Sequence, residues 1–134
     1  MKIRRDVYGQ IIDHARRALP HEACGYLAGT DGVFTLAYAL SNMDQSPEHF
    51  SFDPQEQFAA VKAARVKGLE INAVYHSHPA TPARPSVEDI RLAFDPDKLY
   101  VIVSLADGQN DVKAFWIKGG QVTIENLEVV DATL

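Results

Sequence analysis

His76 and His78 stand one residue apart in "AVYHSHPATPARPSVED", an apolar run that passes into a proline-rich segment and then Ser86 and Asp89. Along a β-strand side chains alternate between faces, so both imidazoles project to one side and Tyr75 and Ser77 to the other. Their Cα atoms then lie about 6.5–7 Å apart. Two rings at that separation can converge on one ion through Zn–N bonds of about 2.0–2.1 Å. Pro79 ends the ladder, and Pro82 and Pro85 stiffen the loop that brings residues 86–89 back. Asp89, in the first turn of a following helix, is placed to add an oxygen ligand. Two neutral imidazoles and one carboxylate leave a divalent cation with net positive charge and an open fourth position, the form of a catalytic metal site. A water activated there needs a base, and Glu22, opening the strand "EACGYLAG" beside small residues, is the candidate.

Each of these residues also has a plainer use. A strand histidine is commonly a packed or surface residue. Ser86 and Asp89, three apart before a helix, form a capping box on their own account. Glu22 by itself is a solvated carboxylate. Cys24, two residues on and on the same strand face, reads as a small buried thiol, with a fifth ligand or a redox switch as the alternatives. His14 falls on the apolar stripe of the first helix and reads as packed, while His21 and His49 sit in loops facing solvent. Trp116 reads as core or contact surface. The joint pattern of two same-face histidines, a rigid loop and Ser-x-x-Asp is what favours a metal site.

The elements that must position these groups follow from periodicity and punctuation. Val7, Ile11, Ala15 and Ala18 make one stripe opposite Arg5, Asp13 and Arg16, predicting a helix over 5–18 closed by Pro20. "EACGYLAG" and "VFTLAYAL" read as a hairpin about Asp31-Gly32, residues that tolerate the positive φ of a tight turn. A second helix is expected from Pro54 to Lys67, with Asp53 as cap, Glu56 completing a capping box and Gly68 as the stop. "EINAVYHSH" reads as a central strand, apolar on both faces. A short helix runs from Ser86 to before Pro96, and "LYVIVSL", "VKAFWI" and "VTIENLEVV" are the final strands. The expectation is one three-layer α/β domain over residues 1–134, a mixed central β-sheet flanked by helices.

Composition bounds the function. Hydrophobic residues make 46% and charged residues 23% of 134, an ordinary globular balance. A net charge of -5 offers no broad basic face, which argues against nucleic acid as a partner. No apolar run is long enough to span a bilayer. The single cysteine excludes an intrachain disulfide, and the charge-interrupted N-terminus is unlike a signal peptide, so a cytoplasmic location is expected.

"HSHP", six residues and then "SVED" resembles the His-x-His-Pro-x6-Ser-x-x-Asp motif of the JAMM (MPN-plus) zinc metalloproteases, compact prokaryotic type, and Glu22 matches that family's upstream glutamate. The resemblance covers roughly residues 1–130. It implies the JAMM/MPN, cytidine-deaminase-like fold, with His76, His78 and Asp89 binding one Zn2+ per chain. Glu22 would hold the activated water as general base, and Ser86 would donate a hydrogen bond to the oxyanion. It further implies hydrolysis of an amide or isopeptide bond at the C-terminal Gly-Gly tail of a small ubiquitin-fold sulfur-carrier protein. Two alternatives stand beside this. A non-heme iron(II) oxygenase shares the 2-His-1-carboxylate set but has no use for Glu22 and Ser86. A non-catalytic MPN scaffold would bind a protein partner through a sheet edge or Trp116.

Overall fold

In a computed structural model describing residues 1–131, the chain forms eight strands and three α-helices. In order these are β1 (Lys2–Arg4), α1 (Arg5–Ala18), β2 (Cys24–Thr30), β3 (Val33–Leu40), α2 (Pro54–Val66), β4 (Glu70–His78), α3 (Val87–Arg91), β5 (Leu99–Ser104), β6 (Asp111–Lys118), β7 (Gln121–Glu125) and β8 (Glu128–Val130). One mixed sheet holds all the strands in the order β7-β6-β5-β4-β2-β3-β1-β8. β1 runs parallel to β3 and β8, and β4 parallel to β5; the remaining pairs are antiparallel.

β7 and β8 occupy opposite edges of this sheet, yet only Asn126 and Leu127 separate them. The sheet must therefore curl until its edges approach, and α1 fills the concave side. Val7, Ile11 and Ala15 of α1 pack with Leu27, Phe34, Ala73, Tyr75, Val101 and Val103, a continuous apolar core. Alternation sends the intervening residues to the convex side. There Tyr26 and Val74 meet Ala60 of α2, and Ile102 and Ile117 meet Ile90 of α3. Helices thus cover both faces, giving the three layers expected. The Tyr75 ring needs Gly25 beneath it: a Cβ there would fall 2.5 Å from Tyr75 Cε1.

The hairpin turn follows its chemistry, with Asp31 and Gly32 both at positive φ (55° and 76°). Asp53 caps α2 by accepting the Gln55 N–H at 2.9 Å. Glu56 does not complete a capping box; its carboxylate takes the backbone N–H and the hydroxyl of Ser41, both at 2.7 Å. "VTIENLEVV" is two strands, because the chain must leave one sheet edge at Glu125 and join the other at Glu128. The three-residue β1, too short to show a period, was not foreseen. Among the described residues no helix is long and apolar enough to cross a membrane.

Candidate metal centre

β4 carries both histidines into the sheet interior, where His76 pairs with Cys24 and Ile102 and His78 with Ser104. Both rings are buried, 3% and 4% exposed. The loop that follows is tied down by Ser104, whose hydroxyl donates to the Thr81 carbonyl at 2.7 Å. His78 Nδ1 lies 2.9 Å from the Pro82 carbonyl, which can only accept. Nδ1 therefore carries the proton and Nε2 turns its lone pair inward. His76 Nδ1 is buried with no hydrogen-bond partner, and its ring is held instead by Phe50, stacked at 4.9 Å and 29°.

α3 supplies the carboxylate. Ser86 Oγ accepts the Asp89 N–H at 3.0 Å and Asp89 Oδ2 accepts the Ser86 N–H at 2.9 Å, a reciprocal capping box. That box points Asp89 Oδ2 at His76 Nε2 (3.1 Å) and His78 Nε2 (3.0 Å), themselves 3.2 Å apart. The capping and ligand readings of Ser86 and Asp89 are one arrangement, not rivals. Three lone-pair atoms crowded so closely need a proton or a cation among them, and two imidazole nitrogens with one carboxylate oxygen suit a divalent transition metal. The residues fit such an ion.

Electrostatics follow from this crowding. Burial pushes Asp89 up, but the close His76 and His78 imidazoles and the Ser86 N–H outweigh it and hold the carboxyl well below the usual range. Burial lowers His78, yet Asp89 and the Pro82 carbonyl raise it on balance.

Glu22 is 3% exposed, and its Oε1 has no hydrogen-bond partner. Burial pushes its carboxyl up to about 8, with His78 opposing and Asp89, Glu88 and Glu48 adding. Contrary to expectation it stands before β2 rather than in it, because ladder pairing with β4 stops at Cys24 opposite His76. Continuing that register brings Glu22 across from His78, on the convex face. Ser86 is exposed at the rim. Its cap uses an oxygen lone pair, so its proton remains free to donate.

Other candidates resolve more plainly. Cys24 is fully buried, its thiol pushed up to about 12 first by burial and then by Glu22, and it is not among the converging atoms. His14 packs beneath the sheet with Nδ1 2.7 Å from the Tyr75 hydroxyl. His49 is exposed and pairs with Asp44 at 3.0 Å, whereas His21 is only partly exposed. Trp116 is half-buried, packing on the concave core and donating Nε1–H to Glu125 at 2.9 Å. Sequence reasoning missed Phe50 and Ser104 and saw Pro82 only as a stiffener of the loop, because these contacts are not encoded in spacing. Beside His76 and Asp89 opens an apolar cavity of about 380 Å³ walled by Tyr26, Phe50, Phe52 and Tyr100.

The family described as prokaryotic homologues of the JAB domain matches residues 4–118. The chain belongs to that family. It is 37% identical over 132 residues to the CysO-cysteine peptidase of Mycobacterium tuberculosis, covering 96% of this chain and 90% of that protein. It is 32% identical over 111 residues to a desampylase of Haloferax volcanii, covering 78% and 80%. A solution structure of a protein from Desulfitobacterium hafniense superposes with a TM-score of 0.89 at 47% identity, covering 98% and 94%. A structure described as a JAMM metalloprotease-like zinc site in the proteasome and signalosome gives 0.64 at 27% identity, covering 98% of both chains.

Proposed function

We propose that this JAB-family hydrolase is a zinc-dependent peptidase cutting the amide or isopeptide bond that follows the Gly-Gly tail of a small ubiquitin-fold carrier protein. The observation that carries the reading is the convergence of His76 Nε2, His78 Nε2 and Asp89 Oδ2 within 3.2 Å, with a buried, unpartnered Glu22 across from His78. The names of the peptidase and desampylase relatives support both the class of bond and a ubiquitin-like substrate. The structure described by its metalloprotease-like zinc site supports zinc as the ion. The family match over residues 4–118 supports reading 1–134 as one catalytic domain. A lone, buried cysteine suits a reducing cytoplasm.

His76, His78 and Asp89 would hold one zinc ion. Bound there, zinc supplies a Lewis acid and lowers the pKa of its water to about 7. Glu22 takes a proton from the attacking water and passes it to the departing amine. A carboxyl raised by burial to about 8 suits both halves of that exchange, since near neutral pH it is a stronger base than a free carboxylate and can still hand the proton on. Ser86, its proton uncommitted, donates to the oxyanion that develops on the scissile carbonyl. A Gly-Gly tail, with no side chains, can lie flat against the rim formed by Ser86 and the 79–85 loop.

The test is mass spectrometry of a ubiquitin-like carrier extended by one or more residues beyond Gly-Gly. Cleavage after the second glycine, abolished by a chelator, is the expected result. A cut elsewhere, or none with zinc supplied, refutes the reading.

A further inference from the structure

Glu22 sits on an irregular stretch where a backbone ladder cannot fix it, yet that stretch is held at four points. The Ser77 N–H donates to the Ala23 carbonyl at 3.0 Å, as an antiparallel rung should. The reciprocal rung is not made by the Ser77 carbonyl: the Ala23 N–H donates instead to Ser77 Oγ at 2.7 Å, in a fully buried contact. One residue further out, the Glu22 N–H donates to the Ser46 carbonyl at 2.8 Å. The Glu22 carbonyl in turn accepts from Asn42 Nδ2 at 3.1 Å. Asn42 also donates to the His49 carbonyl at 3.0 Å, and its Oδ1 accepts the Asp44 N–H at 3.0 Å. It thereby ties the loop that carries Phe50, the ring stacked on His76, to the backbone of Glu22.

We propose that Ser77 and Asn42 are positioning residues for the Glu22 base, their side chains replacing the ladder rungs that β2 lacks before Cys24. This rests on the reading of Glu22 as the base. Ser77 points to the concave side, away from the metal cluster, so it touches neither ligand atoms nor substrate. Substituting its hydroxyl for its own carbonyl lets the chain peel from β4 at Ala23 while remaining anchored. The departure carries Glu22 over the sheet end with its carboxyl still buried. Asn42 fixes the same residue from the opposite direction. Because the base must lie within hydrogen-bond reach of the water it deprotonates, an error of about 1 Å costs up to about 10²-fold in rate.

The experiment compares zinc-loaded wild type with Ser77→Ala, Ser77→Thr, Asn42→Asp and Glu22→Gln on one carrier extended beyond Gly-Gly. Kinetics are accompanied by zinc affinity from chelator competition and by amide exchange of Ala23 in the metal-free protein. For Ser77→Ala the expected result is a kcat lower by about 10–100-fold, with KM and zinc affinity unchanged. Faster Ala23 exchange is expected with it, and recovery of both in Ser77→Thr. Asn42→Asp keeps its acceptor oxygen but loses the donor to Glu22, and should lower kcat in the same way. Adding Ser77→Ala to Glu22→Gln should cost little more, since both act through one group. A zinc affinity that falls in step with kcat, or full additivity with Glu22→Gln, overturns the proposal, as does Ser77→Ala turning over at the wild-type rate. Glu22→Gln retaining wild-type turnover would instead overturn the base reading itself, so the two failures are separable.

Discussion

Glu22 in the metal-free protein is a buried carboxyl with an unpartnered oxygen, so replacing it by glutamine should raise stability in a pH-dependent way. Moving the group from its ordinary 4.5 to about 8 is about 5 kcal/mol of preference for the neutral form, at about 1.36 kcal/mol per pH unit. Water entering the site and local relaxation reduce what is realised, and about 2–4 kcal/mol is the expected change. The sign follows from linkage: a carboxyl raised on folding helps below its unfolded pKa, where both states are protonated, and loses that advantage as pH rises through the folded value. Between these limits the unfolded chain is ionised while the native protein keeps the proton, so wild-type stability falls with rising pH. Glutamine has no such dependence. Urea unfolding with a chelator present, at about pH 5 and about pH 8.5, should show Glu22→Gln gaining on wild type by that amount. A gap that stays constant, or that narrows at high pH, would refute the assignment of Glu22 as a buried, unpaired acid. The same substitution should cut turnover to a small, still measurable residue, so stability and activity move in opposite directions.

Ser86→Ala removes both a helix cap and a hydroxyl donor. Thermal unfolding should register a loss of about 1 kcal/mol, and kcat should fall by about 10–100-fold, less than for a sole oxyanion donor. Phe50→Ala strips the stack from His76, whose Nδ1 has no hydrogen bond to replace it, and chelator competition should show zinc affinity about tenfold weaker. Gly25→Ala sets a methyl group against the Tyr75 ring and the Tyr38 carbonyl. Denaturant unfolding should find it destabilised by about 3 kcal/mol or more, with intact ligands.

Where local chemistry decides, the sequence was a good guide. The stripe of Val7, Ile11 and Ala15 marked α1 over Arg5–Ala18, and Asp31-Gly32 marked a real hairpin. The period-2 rule set His76 and His78 on one face, and the Ser86–Asp89 spacing turned out to aim Oδ2 at both rings as it caps the helix. Long-range geometry was not legible. Glu56 had the spacing of a capping residue, yet Ser41, distant in sequence, offered it two donors. The final strand pattern looked continuous, but sheet curvature splits it between two edges. Glu22 was named in the sequence through its place upstream of the motif strand, whereas Asn42, bonded to its carbonyl, and Ser77, bonded to the neighbouring Ala23 N–H, announce themselves only through contacts across the fold.

The proposed mechanism rests on His76, His78 and Asp89 holding one catalytic zinc. Titrating zinc into metal-free protein, while following release of the residue beyond Gly-Gly, tests it most directly. The rate should rise linearly and level off at one zinc per chain, with no rise at any zinc level in His78→Ala. Turnover by the metal-free protein, or by His78→Ala at the same stoichiometry, would contradict it.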